Sequence, residues 1–300
     1  MKLHKLTKKI IDAGFKIRLF HKMSDEKYLK LLYWCAMGKK LNLDNPQTYN
    51  EKLQWLKLYD RKDIYTVMVG KHTAKDYVAN IIGEEYIIPT LGIWDSFDEI
   101  DFGKLPKQFV LKCTHDSGGL VICTDKDTLN IEEAKSKIER CLEADFYAYG
   151  REWPYKNVER KIIAEKFMVD ESGTELKDYK FFCFDGEVKA MFIASDRSNP
   201  NEETKFDFFD RDFNHLPFTN GHPNANIDIK KPQGFEKMVE LAEKLSKGLP
   251  QARIDFYDIY GKVYFGEITF FHWSGTTPFE PEEWDYTFGS WISLPEKNNT

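Results

Sequence analysis

The stretch KQFVLKCTHDSGGLVICTDK, residues 107–126, sets the question of the fold. An apolar run, Phe109-Val110-Leu111, ends in Lys112, and a second, Leu120-Val121-Ile122, follows Ser117-Gly118-Gly119. Two short strands around a small polar tip read as a hairpin. Glycine at the tip lets backbone N–H groups approach oxygen atoms, and a lysine at the strand end adds a positive charge. Together they suit a phosphate cradle. The same pattern also fits an ordinary hairpin with a surface lysine. Neither a G-x-x-x-x-G-K-[ST] loop nor a G-x-G-x-x-G turn occurs, so a P-loop and a Rossmann site are excluded.

Working outward, NPQTYNEKLQWLKLY (45–59), KHTAKDYVANII (71–82), NIEEAKSKIERCLEADF (130–146) and FEKMVELAEKLSKGL (235–249) carry helical periodicity. KIIAEKFM (161–168) reads as a strand. YKFFCFDGEVKAMFIA (179–194) reads as a hairpin turned at Asp185-Gly186, and RIDFYDIYGKVYFGEITFF (253–271) as one turned at Tyr260-Gly261. The segments around IIPTLGIWDSFDEIDF (87–102) and between residues 199 and 234 read as irregular and turn-rich. Hairpins rather than βαβ crossovers join the strands, so the fold class is α+β with mainly antiparallel sheets.

The last hairpin concentrates charge. Strand alternation puts Arg253 and Asp255 on one face, and the turn brings Glu267 near Asp255 across the pair. Two carboxylates on one face repel unless a cation lies between them. Mg²⁺ bridging nucleotide phosphates is the usual occupant of such a pair. The competing reading is a solvated sheet face on which Arg253 pairs with either acid. Glu165 ends one apolar run and Asp178 opens the next, a placement that suits the edges of a nucleoside and equally an edge strand with ordinary charges.

Composition narrows the classes. The 300 residues are 42% apolar and 15% aromatic, enough for a large core in one domain or a few closely packed lobes. No apolar run is long enough for a membrane-spanning helix, and the N-terminus lacks the apolar core of a signal peptide. Five cysteines without a C-x-x-C pair suit neither a zinc site nor a disulfide framework, and fit a reducing cytoplasm. Residues 1–22 hold seven Lys/Arg against one Asp in a chain of formal net charge −6, so the body is acidic and nucleic acid is not expected as a partner. Leu3, Leu6, Ile10, Ile11 and Phe15 form an apolar stripe in that basic segment. The segment suits either an anionic membrane surface or packing on its own protein.

The order of these parts resembles the ATP-grasp fold, in particular the TupA-like ATP-grasp family associated with teichuronopeptide and other bacterial surface polysaccharides. The resemblance runs through NPQTYNEKLQWLKLYDR, IGEEYIIPTLGIWDSFDEIDFGKLPKQFVLKCTHDSGG, DYKFFCFDGEVKAMFIASDR and ARIDFYDIYGKVYFGEITFFHWSG. It implies two α+β lobes holding ATP between antiparallel sheets. The expected organisation is a basic, mainly helical region (1–60), a segment before the grasp (61–106), a small lobe with the lid (107–165) and a large lobe with the metal site (166–300). It further implies that Lys71 and Lys112 meet the ATP phosphates and that Ser117, Gly118 and Gly119 form the lid. Glu165 and the Lys166–Met168 backbone would hold adenine, and Asp178 the ribose. Asp255 and Glu267 would bind Mg²⁺, with Arg253, Arg197 and Lys180 steadying phosphate or acyl-phosphate charge. Two positions depart from the pattern: Thr269 stands where many such enzymes have Asn, and Gly70 precedes Lys71 where Asp is expected.

The function this implies is an ATP-dependent carboxylate–amine ligase working through an acyl phosphate. Its acceptor would be a uronic-acid-containing polysaccharide or lipid-linked glycan, joined to an amino acid or other amine at the inner face of the cell membrane. The alternatives are a glycosyltransferase or sugar kinase of the same biosynthesis, and a non-catalytic, membrane-associated nucleotide-binding partner. His115 and His272 fall in or beside the implied site. Trp273, Phe279, Trp284, Tyr286, Phe288 and Trp291 suit either sugar stacking or packing of the chain's last segment.

Overall fold

A computed structural model describes residues 11, 14–15, 18–116, 118–170, 176–195, 202–225 and 227–297. Of the sequence expectations, Ser117, Arg197 and the stripe residues Leu3, Leu6 and Ile10 lie outside these. Two stripe residues lie inside. Phe15 is buried with edge-on contacts to Phe20 and Tyr28, and Ile11 packs against the same core.

Two antiparallel sheets carry the fold. The smaller holds β1 (Thr90–Trp94), β2 (Phe109–Cys113), β3 (Leu120–Cys123) and β4 (Ile162–Lys166) in the order β1-β4-β2-β3. The 107–126 hairpin forms as read, with Phe109 opposite Cys123 and Lys112 opposite Leu120. The stretch around 87–102, expected to be irregular, supplies β1. It pairs with β4 across some 70 residues of chain, a partnership no local pattern displays. Asn130 caps the helix Ile131–Leu142 by accepting from the Glu133 N–H. Its buried residues, Ala134 and Ile138, join Phe109, Leu111 and Ile162 in a separate small core.

The larger sheet holds β5 (Tyr179–Phe184), β6 (Glu187–Ser195), β7 (Lys205–Asp210), β8 (His215–Leu216), β10 (Ala252–Ile259) and β11 (Lys262–Thr269), in the order β11-β10-β5-β6-β7-β8. β9 (Thr219–Asn220) pairs separately with β12 (Phe279–Glu280). Strands β7 to β9 thus arise within a stretch read as irregular, because its turn formers and acids hide the short apolar alternation Phe206-Asp207-Phe208. Both expected hairpin turns have two consecutive residues at positive φ, Asp185-Gly186 and Tyr260-Gly261, as tight turns between twisted strands require.

The faces of the large sheet differ. On one, Phe181, Ile254 and Phe256 pack beneath the helix Phe235–Ser246, with Phe181 5.9 Å from Phe235. On the other, α-helices Tyr49–Tyr59 and Glu283–Trp291 bring Tyr49 and Phe288 against Phe182, at 6.3 and 5.3 Å between ring centroids. Thr48 and Glu51 start the first of these helices with a reciprocal capping box. Farther along this second face the aromatics give way to charge: Lys180, Arg253, Asp255 and Glu267. Among the described residues, no helix is long and apolar enough to cross a membrane.

Candidate functional site

A cleft of about 500 Å³ opens between the sheets. Val110, Lys112, Leu120 and Ile122 face it from the hairpin, and Lys180, Ala194, Tyr257 and Glu267 from the large sheet. Alternation along β3 explains the apolar wall. Val121 packs toward the small core while Leu120 and Ile122, both exposed, face the cleft. An exposed apolar wall beside charged residues suits a ligand with one flat apolar part and one anionic part.

The lysines at the cleft are bonded to protein acceptors. Lys112 Nζ lies 2.6 Å from Glu165, and Lys75 Nζ lies 2.5 Å from the other oxygen of the same carboxylate. Burial pushes Glu165 up, but Lys112 and Lys75 outweigh it and hold the carboxyl below the usual range. Burial pulls Lys75 down against the pull of Glu165. Lys71 Nζ donates to the carbonyl oxygens of Asp116 and, at 3.0 Å, Cys113, and burial lowers its pKa as well. The same residue's N–H donates to Thr114 O at 3.0 Å, so the bend carrying Lys71 is fastened to the β2–β3 hairpin. Within the hairpin tip the Asp116 carboxylate accepts the Gly119 N–H at 2.9 and 3.1 Å.

The large-sheet face holds the densest charge. Asp255 stands directly opposite Glu267, and the register then slips by one residue before Phe256 meets Phe265. Gly266 is the residue taken up in that bulge, and a Cβ there would lie 3.0 Å from Asp255 O. Arg253 joins the two acids. Its Nε donates to Asp255 Oδ1 at 2.7 Å, and its Nη2 to Asp255 Oδ2 at 2.8 Å, Glu267 Oε1 at 2.9 Å and Thr269 Oγ1 at 3.0 Å. Lys180 bonds Asp255 and lies 3.4 Å from Asp178. Asp255 is buried and both its oxygens are engaged. The Glu267 side chain is 43% exposed and lines the cleft. Burial pushes Glu267 up, yet Lys180, Arg253 and Lys71 together hold it at about 2, so it is ionised at neutral pH.

Among the described residues no group of three or more His, Cys, Asp or Glu is gathered as a metal cage. The residues present nevertheless fit Mg²⁺ of the kind held by one or two carboxylates plus substrate phosphates. Glu267 offers a charged oxygen open to the cleft, with Asp255 beside it and the amines of Lys71, Lys112 and Lys180 along the same cleft.

Of the residues singled out in the sequence, Lys71, Lys112, Gly119, Glu165, Lys166, Met168, Asp178, Lys180 and Glu267 line one cleft. Arg253 and Asp255 lie buried at its floor. A Cβ on Gly118 would meet only Asp116 Oδ2, at 3.7 Å, whereas one on Gly119 would meet Cys113 Sγ at 2.6 Å. His115 is buried, with Nε2 3.1 Å from Ala144 O. Phe279 and Phe288 are core residues, while Trp273 and Tyr286 are exposed.

Sequence reasoning missed two buried lysines. Lys75 falls on the stripe Ala74, Lys75, Val78, Ile82, all buried, and a lysine on an apolar stripe was the available signal. Lys57 is fully buried and donates to Ser274 O and Oγ, both at 2.8 Å, and to Gln54 Oε1 at 3.2 Å. Burial pulls its pKa down to about 8. The carboxyl of Glu152, buried near Lys57 and Ser274, is pushed up for the same reason.

The sequence profile described as TupA-like ATPgrasp matches residues 51–293. No curated protein matches the chain. Among solved structures it is similar to the D-alanine–D-alanine ligase of Bacillus anthracis complexed with ATP, at 16% identity and a TM-score of 0.40, covering 68% of this chain and 53% of that one. It is similar to the D-alanine–D-alanine ligase of Helicobacter pylori at 15% identity and a TM-score of 0.40, covering 81% and 69%. A third is an ADP complex of N5-carboxyaminoimidazole ribonucleotide synthetase, at 13% identity and a TM-score of 0.43, covering 80% and 56%. The chain therefore spans little more than half the length of the first and third of these.

Proposed function

The chain belongs to the TupA-like ATP-grasp family, and from that premise we propose that it is an ATP-dependent carboxylate–amine ligase that forms an amide through an acyl phosphate. The observation that carries the reading is the single cleft that gathers Lys71, Lys112, Asp178, Lys180 and Glu267 between two antiparallel sheets. Adenine would lie along the apolar wall of Val110, Leu120 and Ile122 and the backbone at Lys166–Met168, with Asp178 at the ribose. The phosphates would take Lys112 over from Glu165, leaving Lys75 as the counter-ion of that buried acid. Lys71 and Lys180 add positive charge toward the γ-phosphate, where charge shifts in the transition state.

Glu267 and Asp255 would hold Mg²⁺, which when bound supplies charge neutralisation at the phosphates. Arg253 keeps the two acids close together, and the Gly118-Gly119 lid excludes water that would hydrolyse an acyl phosphate. The family's association with surface polysaccharides supports a uronic-acid glycan as the carboxylate and an amino acid or other amine as its partner. The basic segment 1–22 would hold the enzyme peripherally at an anionic membrane, through its lysines.

The test is incubation of the full chain with ATP, Mg²⁺, a mixture of amino acids and a glucuronate oligosaccharide, followed by mass spectrometry. ADP, phosphate and an amide are expected. ADP with a phosphorylated sugar would make it a kinase. Consumption of a nucleotide sugar added in place of ATP would make it a glycosyltransferase, and nucleotide binding without turnover a non-catalytic partner.

A further inference from the structure

Behind Arg253 runs a chain of hydrogen bonds whose directions are all determined. Arginine has donors only, so the 2.9 Å contact between Arg253 Nη1 and His272 Nδ1 requires a lone pair on that nitrogen. The imidazole proton is then on Nε2, 2.9 Å from Asn220 Oδ1. Asn220 is oriented in turn, because its Nδ2 donates to Thr277 O at 3.2 Å and Pro278 O at 3.1 Å. Asn220, His272 and Arg253 are all buried, at 1, 4 and 9% exposure. The imidazole plane is fixed by Phe182, edge-on at 5.0 Å, and by Phe192 at 5.4 Å. Phe192 also lies under the guanidinium, 5.9 Å away.

The far end of this chain is Glu267, whose exposed carboxylate Arg253 Nη2 grips at 2.9 Å. We propose that His272 and Asn220 are positioning residues for the metal carboxylates, acting through the orientation of Arg253. A guanidinium is a planar fork, so fixing one nitrogen fixes the direction of the others. Asp255 takes Nε and one Nη2 hydrogen, and His272 supplies the neutral acceptor for Nη1 that completes the fork's orientation, with the rest of Nη2 directed to Glu267 and Thr269. Asn220 holds His272 in the tautomer that leaves Nδ1 free to accept. A protonated ring here would set a third cation against Arg253 and Lys180. Asn220 lies on β9, whose partner strand β12 follows the turn containing His272. The small β9–β12 ladder is thereby tied to the charged end of the large sheet, and this is a use for a two-residue strand pair that otherwise has none in the reaction.

The inference rests on the proposed nucleotide and metal roles, and the experiment separates the two. Binding of the non-hydrolysable analogue AMP-PNP to the full chain is measured by calorimetry with Mn²⁺ and, separately, in EDTA. The wild type is expected to bind more tightly with Mn²⁺. His272→Ala and Asn220→Ala are expected to lose roughly 10–100-fold of that metal-dependent gain, the range for residues that orient a metal ligand, with affinity in EDTA unchanged. His272→Asn, whose amide oxygen replaces Nδ1, is expected to retain more of the gain than His272→Gln, whose amide replaces Nε2. A packing role alone predicts the reverse order, since Gln fills the space better. Unchanged gain in both alanine variants, equal loss in EDTA, or Gln outperforming Asn would each overturn the inference while leaving the ligase reading standing. A wild type with no gain from Mn²⁺ would overturn the metal role and this inference together.

Discussion

Glu267 keeps its charge because of its neighbours, and that makes it readable by pH. Its carboxyl lies at about 2 in the folded protein, below the ordinary 4.5. A carboxyl depressed by folding adds stability above its unfolded pKa and loses it as pH falls toward the folded value. The melting temperature of the wild type is therefore expected to drop below that of Glu267→Gln progressively between about pH 4.5 and 2, relative to their difference at pH 7. Parallel curves for the two proteins would mean that the carboxylate is not coupled to Lys180 and Arg253. Lys112 offers a second reading. Removing it as Lys112→Ala should slow turnover by roughly 2.7–4 kcal/mol, as expected for a charge-stabilising donor in a water-excluded site. Activity within a factor of two of wild type would take Lys112 out of the phosphate site. Both residues were legible in the sequence, because a lysine before a glycine tip and paired acids on a hairpin are local patterns. The pairings of Lys75 and Lys57 were not, because their partners Glu165 and Ser274 lie 90 and 217 positions away; for Lys75 only its place on an apolar stripe was open to view.

At the scale of elements, the hairpin proposed as the lid has a tip that differs at its two glycines. A side chain on Gly119 would meet Cys113 and Cys141 at 2.6–3.0 Å, while Gly118 has room. Gly119→Ala is expected to destabilise by about 1–3 kcal/mol through overpacking, and Gly118→Ala by less than about 0.5 kcal/mol, as at an open surface site. Urea unfolding followed by circular dichroism measures both, and equal losses would mean that the tip packs differently. The hairpins at 109–123, 179–195 and 252–269 could be read because each is bounded by its own turn residues. Strand β1 could not, since a pleat gains its partner only when residues 162–166 arrive beside it. The bulge at Gly266, which brings Asp255 level with Glu267, announces itself only as a glycine inside an apolar strand.

Taken whole, the molecule pairs an acidic body with a basic first segment. Intact chain is expected to co-sediment with anionic vesicles at low salt and to be released at high salt, as a screened charge interaction must be. A chain lacking residues 1–22 should stay in the supernatant under both conditions, and equal sedimentation of the two would end the membrane proposal. Since Phe15 and Ile11 already pack on the protein, the lysines carry this expectation. The antiparallel sheets were legible from the run of hairpins, and their two-lobed arrangement came only with the family resemblance; the helices that clasp the large sheet were not paired by any pattern in the sequence. That clasp has a consequence for how the chain is made. The Asn50 N–H is bonded to Asp285 across 235 positions, and Lys52 reaches Ile292 O. A ribosome delivering some 5–20 residues per second leaves the helix 49–59 without its partner for roughly 10–50 seconds. The small sheet, complete by residue 166, can close long before. The nascent large lobe must wait with Tyr49, Leu53 and Phe182 uncovered, and apolar surface left open in this way is where aggregation starts.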